Sequence, residues 1–251
     1  MSGSIYAATS GAEVQRMRMD LLSNNLANIN TTGYKNDEVA FRLEAEDGEP
    51  GNPGDGEAMA SGDRMKLSII PLTMRTDFSQ GPLQSTGNPL DLAIQGDGFF
   101  SIQTEGGVRY TRGGSFTLDP EGRLTTHQGD PVMGEGGEIT IDGTKVEVDG
   151  SGNILVDGQI TDKLRIVDIS DTAALKKEGA NLFALDENKG TEEPLEYAGV
   201  HQGFLERSNA NAVKIMTDLI EVMRGYESYQ KIIRTLDENN AKLIAGVGNP
   251  L

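Results

Sequence analysis

Ser228-Tyr229-Gln230-Lys231 sets a serine hydroxyl one helical turn from a lysine amine, the Ser-x-x-Lys spacing with which penicillin-recognising enzymes activate a nucleophile. The companion Ser-Asp-Asn and Lys-Thr-Gly sequences are missing, and Tyr229 belongs to the apolar stripe of a long helix, so a structural helix is the preferred reading. Asp149-Gly150-Ser151-Gly152-Asn153 begins like a calcium loop. Ile154 stands where the turn glycine is required and Ile160 where a bidentate glutamate belongs, which favours a hairpin turn. His127 and His201 are far apart in the chain, and neither has a helical or Cys-x-x-Cys-type partner for a metal. Without cysteine there is no thiolate nucleophile, disulfide framework or Cys-ligated metal. Phosphate-binding loops, zinc-protease helix pairs and dinucleotide-binding glycine spacings are also missing. These spacings argue for no enzyme, and no metal or cofactor is expected.

The elements around these residues are organised by composition. Of the 32 glycines, three fall in residues 1 to 47, 26 in 48 to 203 and three in 204 to 251. The net charge of -17 splits the same way: residues 37 to 203 hold 31 acids and 13 bases, or -18, and the two ends together carry +1. An excess of acids this large repels nucleic acid and anionic lipid, so neither is expected as a partner. The N-terminus lacks the basic start and apolar run of a secretory signal, and no stretch is long and apolar enough to span a bilayer. A chain without a cleaved signal peptide and without membrane insertion is the expectation.

In the N-terminal zone Ile5, Ala8, Ala12, Gln15, Met19, Leu22, Leu26 and Ile29 recur at alternating spacings of three and four. That pattern predicts a coiled-coil-like helix from Ser4 to Asn30, stopped at Thr31-Thr32-Gly33, with Gly33 free to take the left-handed C-terminal conformation. Ala212, Ile215, Leu219, Val222, Tyr226, Tyr229, Ile233, Leu236, Asn240 and Leu243 repeat the device at the other end, with Ser208 or Asn209 as cap and an end near Ala245. A second stripe, Val213, Met216, Ile220 and Met223, widens the apolar face of its first half and predicts more than one neighbour.

Residues 42 to 66 carry seven acids and no base between Leu43 and Asp63, too little apolar surface to offset ordering entropy. From Leu67 the apolar period switches to two: Leu90, Leu92 and Ile94, then Ile139 and Ile141, Val146 and Val148, Ile154 and Val156. Asp-Gly pairs starting at Asp97, Asp142, Asp149 and Asp157 supply turns. The organisation that results is an α+β chain. Residues 1-35 and 204-251 form a terminal helical domain, 36-66 an acidic linker and 67-203 an antiparallel β body.

Four blocks carry more than periodicity. Leu21 to Lys35, LLSNNLANINTTGYK, resembles the N-terminal signature of the bacterial flagellar rod and hook proteins. Asn88 to Ile102, NPLDLAIQGDGFFSI, and Tyr110 to Leu124, YTRGGSFTLDPEGRL, resemble the β-domain motifs of that family. Val200 to Val213, VHQGFLERSNANAV, resembles its entry to the C-terminal helix. The segment DFSQGPLQSTGNPLDLAIQGDGFF is most similar to proximal-rod members, with distal-rod and hook members as the close alternative.

The resemblance implies a structural subunit of the flagellar basal body, exported by the flagellum-specific type III apparatus. Its partners would be itself and other rod proteins, in a shaft crossing the periplasm. It implies motif roles for Ser23, Asn24, Asn25, Leu26, Ala27, Asn28, Gly33, Ser208, Asn209 and Asn211. The Asn-rich turn from Ser23 to Asn30 could serve either as self-satisfied caps or as intersubunit hydrogen bonds. Because a lone helix of about 27 residues is marginal in water, both terminal helices are expected to be largely disordered in the monomer and to fold as subunits join. The two helices are expected to pair antiparallel. The rival class is a secreted enzyme or carbohydrate-binding β protein with helical dimerisation arms.

Overall fold

In a computed structural model the described residues are 2–40, 73–179, 181–195 and 199–247. The acidic segment 42 to 66 lies outside them, as does the start of the expected β body at Leu67. Two helices bracket an antiparallel β body: α1, Ser2–Ala27, and α2, Ala212–Val247. Among the described residues no helix is long and apolar enough to cross a membrane.

The helices lie side by side and antiparallel. A Cβ built on Gly11 of α1 would fall 2.4 Å from the Tyr229 ring, and one on Gly225 of α2 would fall 3.4 Å from the Gln15 side chain. Position rises along α1 as it falls along α2. Each helix therefore places a glycine under a large seam residue of the other, a close approach that accounts for two residues costing about 1 kcal/mol each in a helix interior. The pairing also leaves α2, at 36 residues, running past the 26-residue α1. Gly11→Leu is expected to cost about 1–3 kcal/mol by overpacking and to expose α1, read as faster amide exchange along Ser2–Ala27.

Several boundaries differ from the periodicity. Helix α1 stops at Ala27 rather than Asn30: the Asn28 backbone and side-chain amides share the Asn24 carbonyl at 3.2 and 2.9 Å, and beyond it the Ile29 and Thr31 amides turn back three residues, to Leu26 and Asn28. Gly33 has a φ of 68° but does not cap the helix, which ended earlier. Helix α2 is capped by Asn211, not by Ser208 or Asn209: its Oδ1 accepts from the Val213 and Lys214 amides at 3.0 and 3.1 Å. Asp37–Ala40, inside the expected linker, is a strand paired with Thr73–Thr76. Phe204–Glu206, assigned to the helical domain, is a strand paired with Leu83–Ser85. Within one chain each helix supplies the other with a packed face that a lone helix lacks.

The body is built on a six-stranded sheet ordered Leu175–Lys177, Leu182–Leu185, Gly107–Thr111, Phe99–Thr104, Ile166–Ile169, Glu192–Pro194, with every pairing antiparallel. Alternation distributes its side chains to two cores. Phe100, Ile102 and Ile166 join Leu92, Ile94, Leu124, Ile139 and Ile154 on one side, and Phe99, Tyr110, Val167 and Phe183 pack together on the other. Val156-Asp157-Gly158-Gln159 closes a two-residue hairpin in which Asp157 and Gly158 both have positive φ, 51° and 86°. Asp149 closes its own turn, accepting from the Ser151 and Asn153 amides at 2.9 Å each. In Leu92–Gln95 the alternation fails, because Ala93 is as buried as its neighbours.

Candidate functional site: the joint between helices and body

The residues with motif roles gather where α1 hands over to the β body. Asn25 is buried and fully engaged: its amide donates to the Asp37 carbonyl at 2.8 Å, and its Oδ1 accepts from the Asp37 amide at 3.1 Å and the Tyr34 hydroxyl at 2.9 Å. Asn24 takes a second contact from the same hydroxyl at 2.9 Å. The chain after α1 is thus folded back along the helix's last turns. Asn209 ties the far side, accepting from the Asn36 amide at 2.8 Å and donating to the Asp77 carbonyl at 2.8 Å. Asn30 accepts from Arg207 at 2.8 Å.

Beneath the turn lies a buried charge cluster. Lys35, one of the largest fully buried side chains, donates from Nζ to Glu206 Oε1 at 2.7 Å and to the Ser79 carbonyl at 2.8 Å. The same Oε1 accepts from the Gly81 amide at 2.9 Å, while Glu206 Oε2 faces Arg112 Nη1 at 3.5 Å. Arg112 also donates to the Gly96 carbonyl at 2.7 Å. One carboxylate therefore serves two cations. Burial lowers the affinity of Lys35 and Arg112 for their protons, and Glu206 opposes the shift in both. Gly33 makes the approach possible, since a Cβ there would sit 2.2 Å from the Gly113 nitrogen. Its own amide donates to the Glu206 carbonyl at 2.8 Å.

Tyr34 seals the joint from outside, with Lys177 4.3 Å over its ring and bound to Asp37 at 2.8 Å. Burial, with the Asp37 charge adding to it, pushes the Tyr34 phenol up from its ordinary 10 to about 12. A phenol whose folded pKa is raised stabilises fully below pH 10 and loses that contribution as pH rises through about 12. The stability gap between the wild-type chain and Tyr34→Phe should therefore close between those values in denaturant titrations.

The seam residues differ in burial. Ala8, Ala12, Ile215 and Val222 are buried. Ile5, Met19, Leu22, Leu26, Ile29, Leu219, Tyr226, Tyr229, Ile233 and Leu236 are half-buried, and the Leu243 side chain lies outside the description. Of the motif residues, Ser208 and Gly33 are buried while Ser23 and Ala27 face solvent. The residues with possible chemistry do local work: Ser228 donates to the Arg224 carbonyl, His127 contacts Ser115 and His201 contacts Gln95. Periodicity missed Lys35, Arg112 and Glu206, which lie one in each of three family-like blocks; the fourth supplies Gly96.

Three family models match the chain in order. Residues 5–35 match "Flagella basal body rod protein", residues 93–161 the "Flagellar hook protein FlgE/F/G D1 domain" and residues 201–245 "Flagellar basal body rod FlgEFG protein C-terminal". A flagellar basal-body rod protein FlgF of Caulobacter vibrioides is 36% identical over 99% of both chains. The chain belongs to the flagellar basal-body rod protein family. A rod protein FlgG of Bacillus subtilis is 34% identical over 97% of this chain and 98% of its own, and FlgF of Salmonella typhimurium is 30% identical over 96% and 97%. As a rod-family member the chain is a structural subunit of the flagellar basal body. The N- and C-terminal family models end and begin on either side of the joint, and Arg112 comes from the D1 match. The buried cluster is thus where the three matched segments of a rod protein meet.

Proposed function

We propose that the chain is a proximal-rod subunit that polymerises through its paired terminal helices into a hollow shaft and transmits torque across the periplasm. The observation that carries this reading is that α2, already packed on α1, keeps a second apolar stripe open: Val213, Met216, Ile220 and Met223 are 75, 51, 54 and 49% exposed. A subunit that folds alone has no use for such a stripe, and one that joins neighbours does. Near-neutral helices pack without mutual repulsion, and a coiled-coil-like arrangement of them would form the inner layer. The buried joint makes α1, α2 and the body one unit, so load on the helices is carried by the body. Other rod proteins would be the partners above and below, and the flagellar export apparatus would deliver the chain. The proximal assignment leans on the full-length likeness to FlgF, and the comparable likeness to FlgG keeps the distal rod as the second reading.

Leu22→Asp and Leu26→Asp put a charge on the half-buried helical seam, far from the cores of the body. Each is expected to abolish incorporation into basal bodies while the purified variant retains its β signal by circular dichroism. Normal basal bodies and motility with either change would overturn the polymerisation reading.

A further inference from the structure

The open stripe on α2 has a counterpart elsewhere on the same chain. Its four side chains recur at spacings of three, four and three, so they form one straight ridge about 15 Å long at 1.5 Å per residue. A groove of about 580 Å³ lies between α1 and the body, lined by Met17, Leu21, Met74 and Leu182 among others. Its wall runs along α1 from Met17 to Asn24, about 10 Å by the same rise, and continues to Asn28 in the turn that follows. Ridge and groove therefore match in apolar character.

Their charges also match. Beyond Met223 the ridge face continues with Arg224, Glu227, Lys231 and Arg234, all exposed, three bases against one acid. The groove carries Asp20, Asp37 and Lys177, two acids against one base. No residue of α2 lines the groove, so ridge and groove do not meet within one chain. Met74 and Met17 remain 63 and 39% exposed, as unsatisfied as the ridge itself.

We propose that the α2 ridge of one copy seats in the α1–body groove of the next copy of this chain, as an amphipathic helix laid in an apolar groove. This rests on the reading of the chain as a self-polymerising rod subunit and names the contact by which it does so. Because ridge and groove are different surfaces, the contact is heterologous, and repeating it builds an open helical array rather than a closed dimer. The methionines suit a groove that must accept a neighbour's side chains, since their unbranched chains adapt to what arrives.

The cysteine-free chain makes the contact directly readable. Basal bodies are isolated from cells whose only copy of the chain carries M17C and M216C together, oxidised, and resolved on a denaturing gel. The expected result is a ladder of dimers and higher multimers of the double variant. Either single variant should give monomer alone, and M216C paired with I160C, another exposed apolar position, should give no ladder. If M17C/M216C fails to incorporate, M74C/I220C reads the same contact. Double variants that are incorporated yet stay monomeric, that only shift in monomer mobility, or that cross-link no better than the control pair would overturn the ridge-in-groove contact while leaving the rod reading intact. Absence of the wild-type chain from basal bodies would overturn the rod reading itself.

Discussion

Glu206→Ala is expected to destabilise the folded chain by about 3–5 kcal/mol, the cost of removing one partner from a buried ion pair. The carboxylate is the shared counter-charge for Lys35 at 2.7 Å and Arg112 at 3.5 Å, and it also accepts the Gly81 amide. All three charged side chains are almost wholly buried. Alanine leaves the Lys35 ammonium and the Arg112 guanidinium without a carboxylate and an amide without an acceptor. Denaturant unfolding should report the loss as a lower midpoint. Adding Lys35→Met should recover part of it, because one of the two orphaned charges then disappears. Equal stability of wild type and Glu206→Ala would show that the cluster does not hold helices and body together.

Val222→Asp is the second change with a large expected effect, acting on the helical pair instead of the joint. Val222 is 1% exposed on the face of α2 that meets α1. A carboxylate there is buried and stands one turn after Asp218, so it adds like-charge repulsion to a desolvation cost of several kcal/mol. Helix α1 should come away from α2, measured as protease cleavage within Ser2–Ala27 that the wild-type monomer resists. Met223→Asp, one residue further along, falls on the exposed ridge and should change monomer stability by less than about 0.5 kcal/mol. It should nevertheless block incorporation into basal bodies. The pair of neighbours thus separates what folding requires from what assembly requires.

Periodicity in the sequence was sufficient for the helices and for the class of the body, because side-chain burial repeats every three to four residues in one and every two in the other. Of the residues named from spacing, Ala8, Ala12, Ile215 and Val222 are buried, and Gln15 and Tyr229 lie where glycines of the opposing helix receive them. Helix ends were less legible. Asn28 carries good helical spacing in its neighbours, but its side chain competes for backbone groups and ends the helix early. The joint was the least legible part. Lys35, Arg112 and Glu206 are separated by most of the chain, and a lone charged residue in sequence is ordinarily a solvated one. Only the fold shows that Gly33 and Gly81 let three distant segments close on them. A trace existed in the blocks themselves: Arg112 and Glu206 stand among glycines and aromatic or apolar residues, and Lys35 follows Gly33 and Tyr34.

The mean charge of the chain acquires a location in the same way. The helices that pair are close to neutral and the body between them carries the excess of acids. In the proposed tube, near-neutral helices would bring many copies together at the axis, and acidic bodies facing outward would keep unassembled subunits apart.

The most direct test of this account is a density map of isolated hook-basal bodies in which the chain is traced or labelled. The account predicts the α1–α2 pair in the inner wall of the proximal rod, the β body outside it, and Lys35, Arg112 and Glu206 at the radius where the two layers meet. Density for the chain in the hook or outside the rod, or helices facing outward with the body at the axis, would contradict it.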